Sequence, residues 1–479
     1  MSFVSLDFAI FMPIVFCIYW ALGKNVKIQN FFLLAASYFF YAWWNWRYLS
    51  LILICSLTNY YAGLLMMKYD SQKIRKIILY TCFVVCLGIL GVFKYYHFFV
   101  TSFVEAFSLF GMNLHAKTLN LILPIGISFY TFHTLTYTIE IYRRKFEPTK
   151  DVISFFLFVS IFPLAMAGPI ERATNLLPQI YKRRTFDYAQ ATDGMRQILW
   201  GLFKKVVIAD NCAMIVNGVF ENTSTQSGSA LLLGSIFFTI QIYCDFSGYS
   251  DMAIGIGKLL GFKFLQNFNY PLFATSFADY WKRNHISMTQ WFMDYVYYPM
   301  TNNKTKLWQW NLCMIATFLL SGLWHGAGWT FVIWGLYQGI FIVISMNSQK
   351  RRKRFEKKYN LKDNMPYTFF RMIMTFGIVC IGAVFFRAGS IRQVFEYFNG
   401  VINIHSFFHS SIENRLLLKS VIPIACMLIV EWIGRKDQFG LEKLGTTWNP
   451  VFRFTMYYTI LLLIFFSMGG NQVFIYFQF

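Results

Sequence analysis

The segment Ser321-Gly322-Leu323-Trp324-His325-Gly326-Ala327-Gly328-Trp329 sets one histidine among glycines and tryptophans, between two long apolar runs. An imidazole takes up and returns a proton near neutral pH, so His325 can serve as a general base or acid. An ionisable ring at membrane depth is costly to insert and marks a functional site by default. Gly322, Gly326 and Gly328 leave no bulk beside the backbone, so a substrate or another helix can approach closely. The competing reading is a helix-packing histidine bonded to a neighbour. Trp324 and Trp329 are packing or interface anchors in either case.

Tyr280-Trp281-Lys282-Arg283-Asn284-His285-Ile286-Ser287 is the second unusual segment. If it is helical, Trp281 and His285 share a face at i, i+4, and Asp279 pairs with Arg283. An amphipathic surface helix with its histidine at the headgroups is the alternative. In Tyr243-Cys244-Asp245-Phe246-Ser247-Gly248-Tyr249-Ser250-Asp251 two carboxylates could orient a histidine or bind a cation. Capping a helix end or pairing with Lys and Arg is the favoured role. Gly168-Pro169-Ile170-Glu171-Arg172 reads as a helix terminator, its Arg172 open to an anionic donor or a headgroup. His133, Tyr137 and Glu140 fall at helical spacing as a polar seam. His97, His115, His405 and His409 sit near helix ends or in loops and are assigned no role. The nine cysteines form no C-x-x-C pair or Cys/His cluster, so neither a metal site, structural disulfides nor a thiol nucleophile is expected. No Walker, Rossmann, H-E-x-x-H or G-x-S-x-G pattern stands in a fitting context.

The elements that position these residues are membrane helices. The chain has 479 residues, 57% of them hydrophobic and 14% charged, and several runs reach the ~20 apolar residues that cross a bilayer. Spans are expected near 3–22, 48–66, 78–100, 119–142, 196–220, 327–346, 367–387, 416–434 and 452–470. Shorter runs near 29–45, 152–167, 229–247 and 309–325 read as tilted, broken or re-entrant helices. The runs lack the alternation of a transmembrane barrel, so the fold class is all-α, polytopic, with about 11–14 transmembrane or re-entrant helices. One integral domain, 1–479, is expected, with N-terminal helices over 1–118, a polar-interrupted core over 119–346 and C-terminal helices over 347–479. From Gly248 to His285 the chain is too polar to face lipid and too apolar for an ordinary loop, which predicts irregular backbone lining a cavity. The start has no basic n-region or cleavage site, so the first helix reads as retained.

The net charge of +21 does not point to nucleic acid, because the basic residues lie in short loops between apolar runs. They read as topology signals and contacts to anionic membrane lipid. Lys24, Lys27, Lys68, Lys73, Arg75, Lys76, Arg143, Arg144, Lys145 and Lys150 alternate with the charge-poor segment 101–118. That alternation puts the N-terminus outside and the basic loop 347–366 in the cytoplasm. Three further crossings put the C-terminus outside as well.

Several motifs carry a family resemblance. They are Gly126-Ile127-Ser128-Phe129-Tyr130-Thr131-Phe132, Ala167-Gly168-Pro169-Ile170-Glu171-Arg172 and Asp245-Phe246-Ser247-Gly248-Tyr249-Ser250-Asp251-Met252-Ala253. Asn267-Phe268-Asn269-Tyr270-Pro271, Asp294-Tyr295-Val296-Tyr297-Tyr298-Pro299 and Gly322-Leu323-Trp324-His325-Gly326 with Trp329 and Trp334 complete the set. Together, over about 126–339, they resemble the membrane-bound O-acyltransferase superfamily, bacterial alginate O-acetyltransferase-like branch. Asn284 stands where that branch usually has Trp, and Thr301-Asn302 where it commonly has Gly-Gly.

The resemblance implies helices around a central tunnel, with His325 as the catalytic histidine and His285 as a second important one. It implies acyl transfer, acetyl from acetyl-CoA as donor, in a bacterial cytoplasmic membrane with no bound cofactor. The acceptor would be an exported cell-surface glycan or an extracytoplasmic SGNH-hydrolase-like relay partner. His325 would take the proton of an acceptor hydroxyl, and His285 would orient the acceptor or stabilise developing charge. Arg143, Arg144 and Lys145 could attract acetyl-CoA phosphates. D-alanyl transfer from a carrier protein towards teichoic acid, and a transporter without chemistry, remain open; clustering of polar intrusions in one middle section argues against the transporter.

Overall fold

The computed structural model describes residues 1–112, 121–302, 304–403, 407, 412–469, 474 and 475. Among them the regular elements are all helical. Among the described residues seven stretches are long and apolar enough to cross a membrane: Val26–Lys68, Gln72–Ser108, Gly228–Leu259, Trp329–Asn347, Met365–Arg387, Asn414–Ile433 and Pro450–Ser467. The chain is therefore an all-α, multi-pass membrane protein. Outward-facing Phe, Leu and Ile side chains on Pro450–Ser467 (Phe465 68% exposed, Phe466 80%) are what a lipid-facing helix needs.

The chain forms two compact units, Met1–Met195 with Met252–Leu265, and Arg196–Asp251 with Gln266–Phe479. In the first, the helix Ile127–Tyr142 is buried along nearly its whole length although four threonines (Thr131, Thr134, Thr136 and Thr138), His133 and Glu140 are buried on it together with the hydroxyl-bearing Tyr130 and Tyr137. Burial requires these groups to be bonded. His133 Nε2 accepts the Glu171 backbone N–H at 3.0 Å, Tyr137 Oη accepts that of Thr149 at 3.1 Å, and Thr138 donates to Asn59 Oδ1 at 2.5 Å. His133 and Tyr137 of the seam are thus bonded to neighbouring segments, and Glu140 is buried on the same helix.

The second unit holds the segments singled out for chemistry. Leu307–His325 and Trp329–Asn347 form a tight antiparallel hairpin. A Cβ on Gly322 would lie 2.3 Å from the Phe331 carbonyl oxygen, and one on Gly335 would lie 2.5 Å from that of Phe318. These glycines admit the partner helix, not a substrate; likewise the Phe331 ring fills the space beside Gly326.

Five expectations need correction. The run 229–247 is not a short helix: it belongs to Gly228–Leu259, 32 residues and about 48 Å long. The stretch 248–285 is consequently irregular only from about Leu260 onward. Trp281 and His285 do not share a helix, because Phe277–Arg283 ends before Asn284. The basic loop 347–366 contains a helix of its own, Gln349–Lys358. The run 119–142 becomes helical at Ile127, and His115, His405 and His409 lie outside the described residues.

Candidate active site

The helix Phe277–Arg283 starts on Ser276, whose hydroxyl accepts the Asp279 N–H at 3.2 Å. Asp279 pairs with Arg283 at 2.9 Å, as their spacing predicts. The helix then stops: Asn284 is extended, and His285 adopts the left-handed region (φ 47°, ψ 51°) before Ile286–Phe292 begins. That conformation costs a non-glycine residue about 1–3 kcal/mol and must be held by its surroundings.

Asn267 is the residue that holds it. Its backbone carbonyl accepts the Ile286 N–H at 2.9 Å. Its side-chain Oδ1 accepts from the Ser287 N–H at 3.3 Å and the Ser287 hydroxyl at 2.9 Å, while Nδ2 lies 3.2 Å from Ser250 Oγ. His285 Nδ1 lies 3.3 Å from the same Oδ1. A backbone N–H can only donate, so the atom facing Ser287 is the amide oxygen. His285 Nδ1 must then carry a proton to bond it, and in the neutral ring the lone pair is on Nε2. The network therefore sets the tautomer as well as the ring's direction.

His325 ends the helix Leu307–His325, with Gly326 extended beyond it. Helix carbonyls converging on that end favour positive charge there, which suits a ring that accepts a proton. The His325 and His285 rings are 6.2 Å apart between centroids and only 4% and 1% exposed. Trp324 stands 4.8 Å from His325 and 5.9 Å from His285, while Trp334 and Phe386 close on His325 at 5.1 and 5.3 Å. Both histidines line one cavity of about 60 Å³, with Phe246, Trp281, Trp334 and Phe386 among its aromatic walls. That is several times the roughly 10–15 Å³ that one water needs, so the cavity admits a group of a few heavy atoms. Gln338, also at the wall, is fixed by the Trp281 indole N–H, 3.1 Å from its Oε1.

Tyr243 joins this cavity to a buried charge network. Its hydroxyl lies 2.8 Å from both oxygens of Glu431, which is 3.9 Å from Lys204 Nζ. Lys204 also pairs with Asp251 at 2.6 Å, and Lys205 bridges Asp245 at 2.7 Å and Asp210 at 2.8 Å. Asp245 and Asp251 thus have the Lys-pairing role favoured from their types. Both lysines lie on a π-helical stretch, Phe203–Ala209.

Sequence reasoning missed Asn267 as an anchor, because eighteen residues separate it from His285 and no spacing rule links them. It also missed Tyr243, Gln338 and Phe386, which a hydropathy reading takes for ordinary membrane-helix residues.

A family model described as "MBOAT, membrane-bound O-acyltransferase family" matches residues 30–386. The "Probable alginate O-acetylase AlgI" of Pseudomonas aeruginosa is 36% identical, over 91% of this chain and 82% of its own length. The "Peptidoglycan O-acetyltransferase" of Helicobacter pylori is 32% identical over 86% and 82%. The "Teichoic acid D-alanyltransferase" of Bacillus subtilis is 28% identical over 57% and 70%.

Proposed function

This chain belongs to the membrane-bound O-acyltransferase family, and we propose that it moves an acetyl group from cytosolic acetyl-CoA to a hydroxyl of an exported cell-surface glycan, or to an extracytoplasmic SGNH-hydrolase-like partner. The observation that carries the chemistry is the convergence of His325 and His285 on one small cavity. The relatives named for alginate and peptidoglycan O-acetylation support the acceptor class. The cavity size supports a short acyl group.

In this reading His325 takes the proton of the acceptor hydroxyl as its oxygen attacks the thioester carbonyl carbon. The tetrahedral intermediate collapses, the C–S bond breaks, and the departing sulfur receives the proton from His325. A base of this kind contributes about 10²–10⁴-fold, the rest coming from positioning and electrostatics. His285, with its lone pair on Nε2, accepts a hydrogen bond from a neighbouring hydroxyl or N–H group of the acceptor and so orients the hydroxyl that reacts. The protein lies in the bacterial cytoplasmic membrane, both termini outside, so that the thioester arrives from the basic inner face.

Mass spectrometry of surface glycans from cells carrying His325→Ala, beside the parent, tests the assignment. Loss of ester-linked acetyl groups at normal protein abundance is expected; unchanged acetylation rejects the role of His325. D-alanyl esters lost in place of acetyl esters would favour the D-alanyl reading, which the 28% identical teichoic acid enzyme supports.

A further inference from the structure

If His285 Nε2 bears a lone pair, the neutral ring has no proton to offer the carbonyl oxygen of a bound thioester. A tetrahedral oxyanion in this largely aromatic cavity then needs a donor from another residue. Several polar wall groups are engaged already. The Thr239 hydroxyl donates to the Ser235 carbonyl at 2.8 Å and the Tyr243 hydroxyl to Glu431; Gln338 is held through its Oε1 by Trp281, and its Nε2 donors lie on a helix other than the one that breaks at Asn284. Asn284 differs. It lines the cavity directly before His285, and its bonds within the described protein are made by its backbone alone: N–H to the Tyr280 carbonyl at 2.8 Å, and its carbonyl with the Thr289 hydroxyl at 3.4 Å. Its side-chain amide is half-buried, with two N–H groups uncommitted among aromatic walls. The extended backbone at Asn284 and the left-handed turn at His285 fix both residues at the same break in the helix.

We propose that the Asn284 side-chain amide is a catalytic residue, the donor to the acyl carbonyl oxygen as negative charge develops on it. This rests on the acyl-transfer reading above and divides labour at the break: His285 orients the acceptor and Asn284 holds the carbonyl oxygen. The amide's bonds strengthen as the carbon becomes tetrahedral, so its effect falls on turnover and not on donor binding.

The test uses the full-length protein in lipid nanodiscs with acetyl-CoA as donor and glycerol as hydroxyl probe, reading CoA thiol release, alongside surface-glycan mass spectrometry in cells. Asn284→Leu, near the same size without donors, should lower kcat about 10²–10³-fold with little change in KM. Asn284→Asp should lose as much, because a carboxylate repels the oxyanion. Asn284→Gln should recover part of the rate. Gln338→Leu, Trp334→Phe and Tyr280→Phe, which remove other donors at the wall, should each lower kcat less than Asn284→Leu does. Parent turnover in Asn284→Leu, a change confined to KM, or the main loss falling on Gln338→Leu, Trp334→Phe or Tyr280→Phe overturns the proposal. If instead neither assay shows acetyl transfer that depends on His325, the acyl-transfer reading fails and takes this one with it. Monodisperse extraction and normal abundance separate lost turnover from lost folding, and Asn284→Gln supplies the comparison if the Leu variant is not recovered.

Discussion

Asn267→Ala separates the tautomer of His285 from the rest of the site. Asn267 makes three contacts through Oδ1, to Ser287 N, Ser287 Oγ and His285 Nδ1, and one through Nδ2 to Ser250 Oγ. At about 0.5–1.5 kcal/mol net for each, the side chain contributes about 2–6 kcal/mol to stability. The bond to His285, at 3.3 Å, carries one share of that. A bias of about 0.5–1.5 kcal/mol corresponds to a roughly 2- to 13-fold preference for the proton on Nδ1, and the alanine variant forfeits it. Nitrogen NMR on histidine-labelled protein in nanodiscs reads this directly, since protonated and unprotonated ring nitrogens resonate far apart, and His285→Gln identifies the signal. The parent should show a protonated Nδ1 and a bare Nε2 at His285; Asn267→Ala should move towards a mixture and unfold at lower temperature. Asn267→Ser, with a shorter acceptor, is the fallback if the alanine protein is not recovered. A parent ring protonated on Nε2, or a tautomer indifferent to Asn267, refutes the reasoning and removes the case for Asn284 as the carbonyl donor.

Lys204→Met strands Asp251 and Glu431 in the interior and should cost about 3–5 kcal/mol, whereas Lys204→Met with Asp251→Leu should lose less than the sum of the two single changes; equilibrium unfolding in mixed micelles checks both, and additive losses would mean that the pair is not coupled. Gly335→Ala places a Cβ 2.5 Å from the Phe318 carbonyl and 3.0 Å from Leu319 Cα, so the hairpin must open at a cost of about 1–3 kcal/mol. A thermal midpoint equal to that of the parent would show that the two helices are not held at this contact.

Hydropathy and residue type reach far into this molecule. Runs such as 367–387 and 416–434 become Met365–Arg387 and Asn414–Ile433 almost unchanged, since lipid leaves a backbone little choice but a helix. Reading fails where burial of charge is paired. The run at 229–247 looks short because Asp245 and Asp251 depress its apolar average, yet the helix continues to Leu259 because Lys205 and Lys204 meet those carboxylates from another segment. The break at Asn284 is invisible for a related reason. Nothing local in Tyr280–Ser287 forbids a helix there; the amide and carbonyl of Asn267 take over the backbone and side-chain groups that a helix would otherwise satisfy. The two histidines were legible as rare ionisable rings in an apolar setting. Their 6.2 Å approach was not, being made by the end of one helix and the interruption of another.

Lys204 and Lys205 are neighbours in the chain, yet each answers a different pair of acids, Asp251 with Glu431 and Asp245 with Asp210. The wide turn over Phe203–Ala209 carries a spare residue relative to ordinary helical pitch. Across that turn Lys205 reaches Asp210 five places on, a spacing that ordinary helical pitch, at about 100° per residue, would set about 140° apart. At that pitch Lys205 would face away from one of its two acids with no side chain having been changed. The pitch of this stretch therefore sets the molecule's internal wiring as firmly as the identity of any side chain.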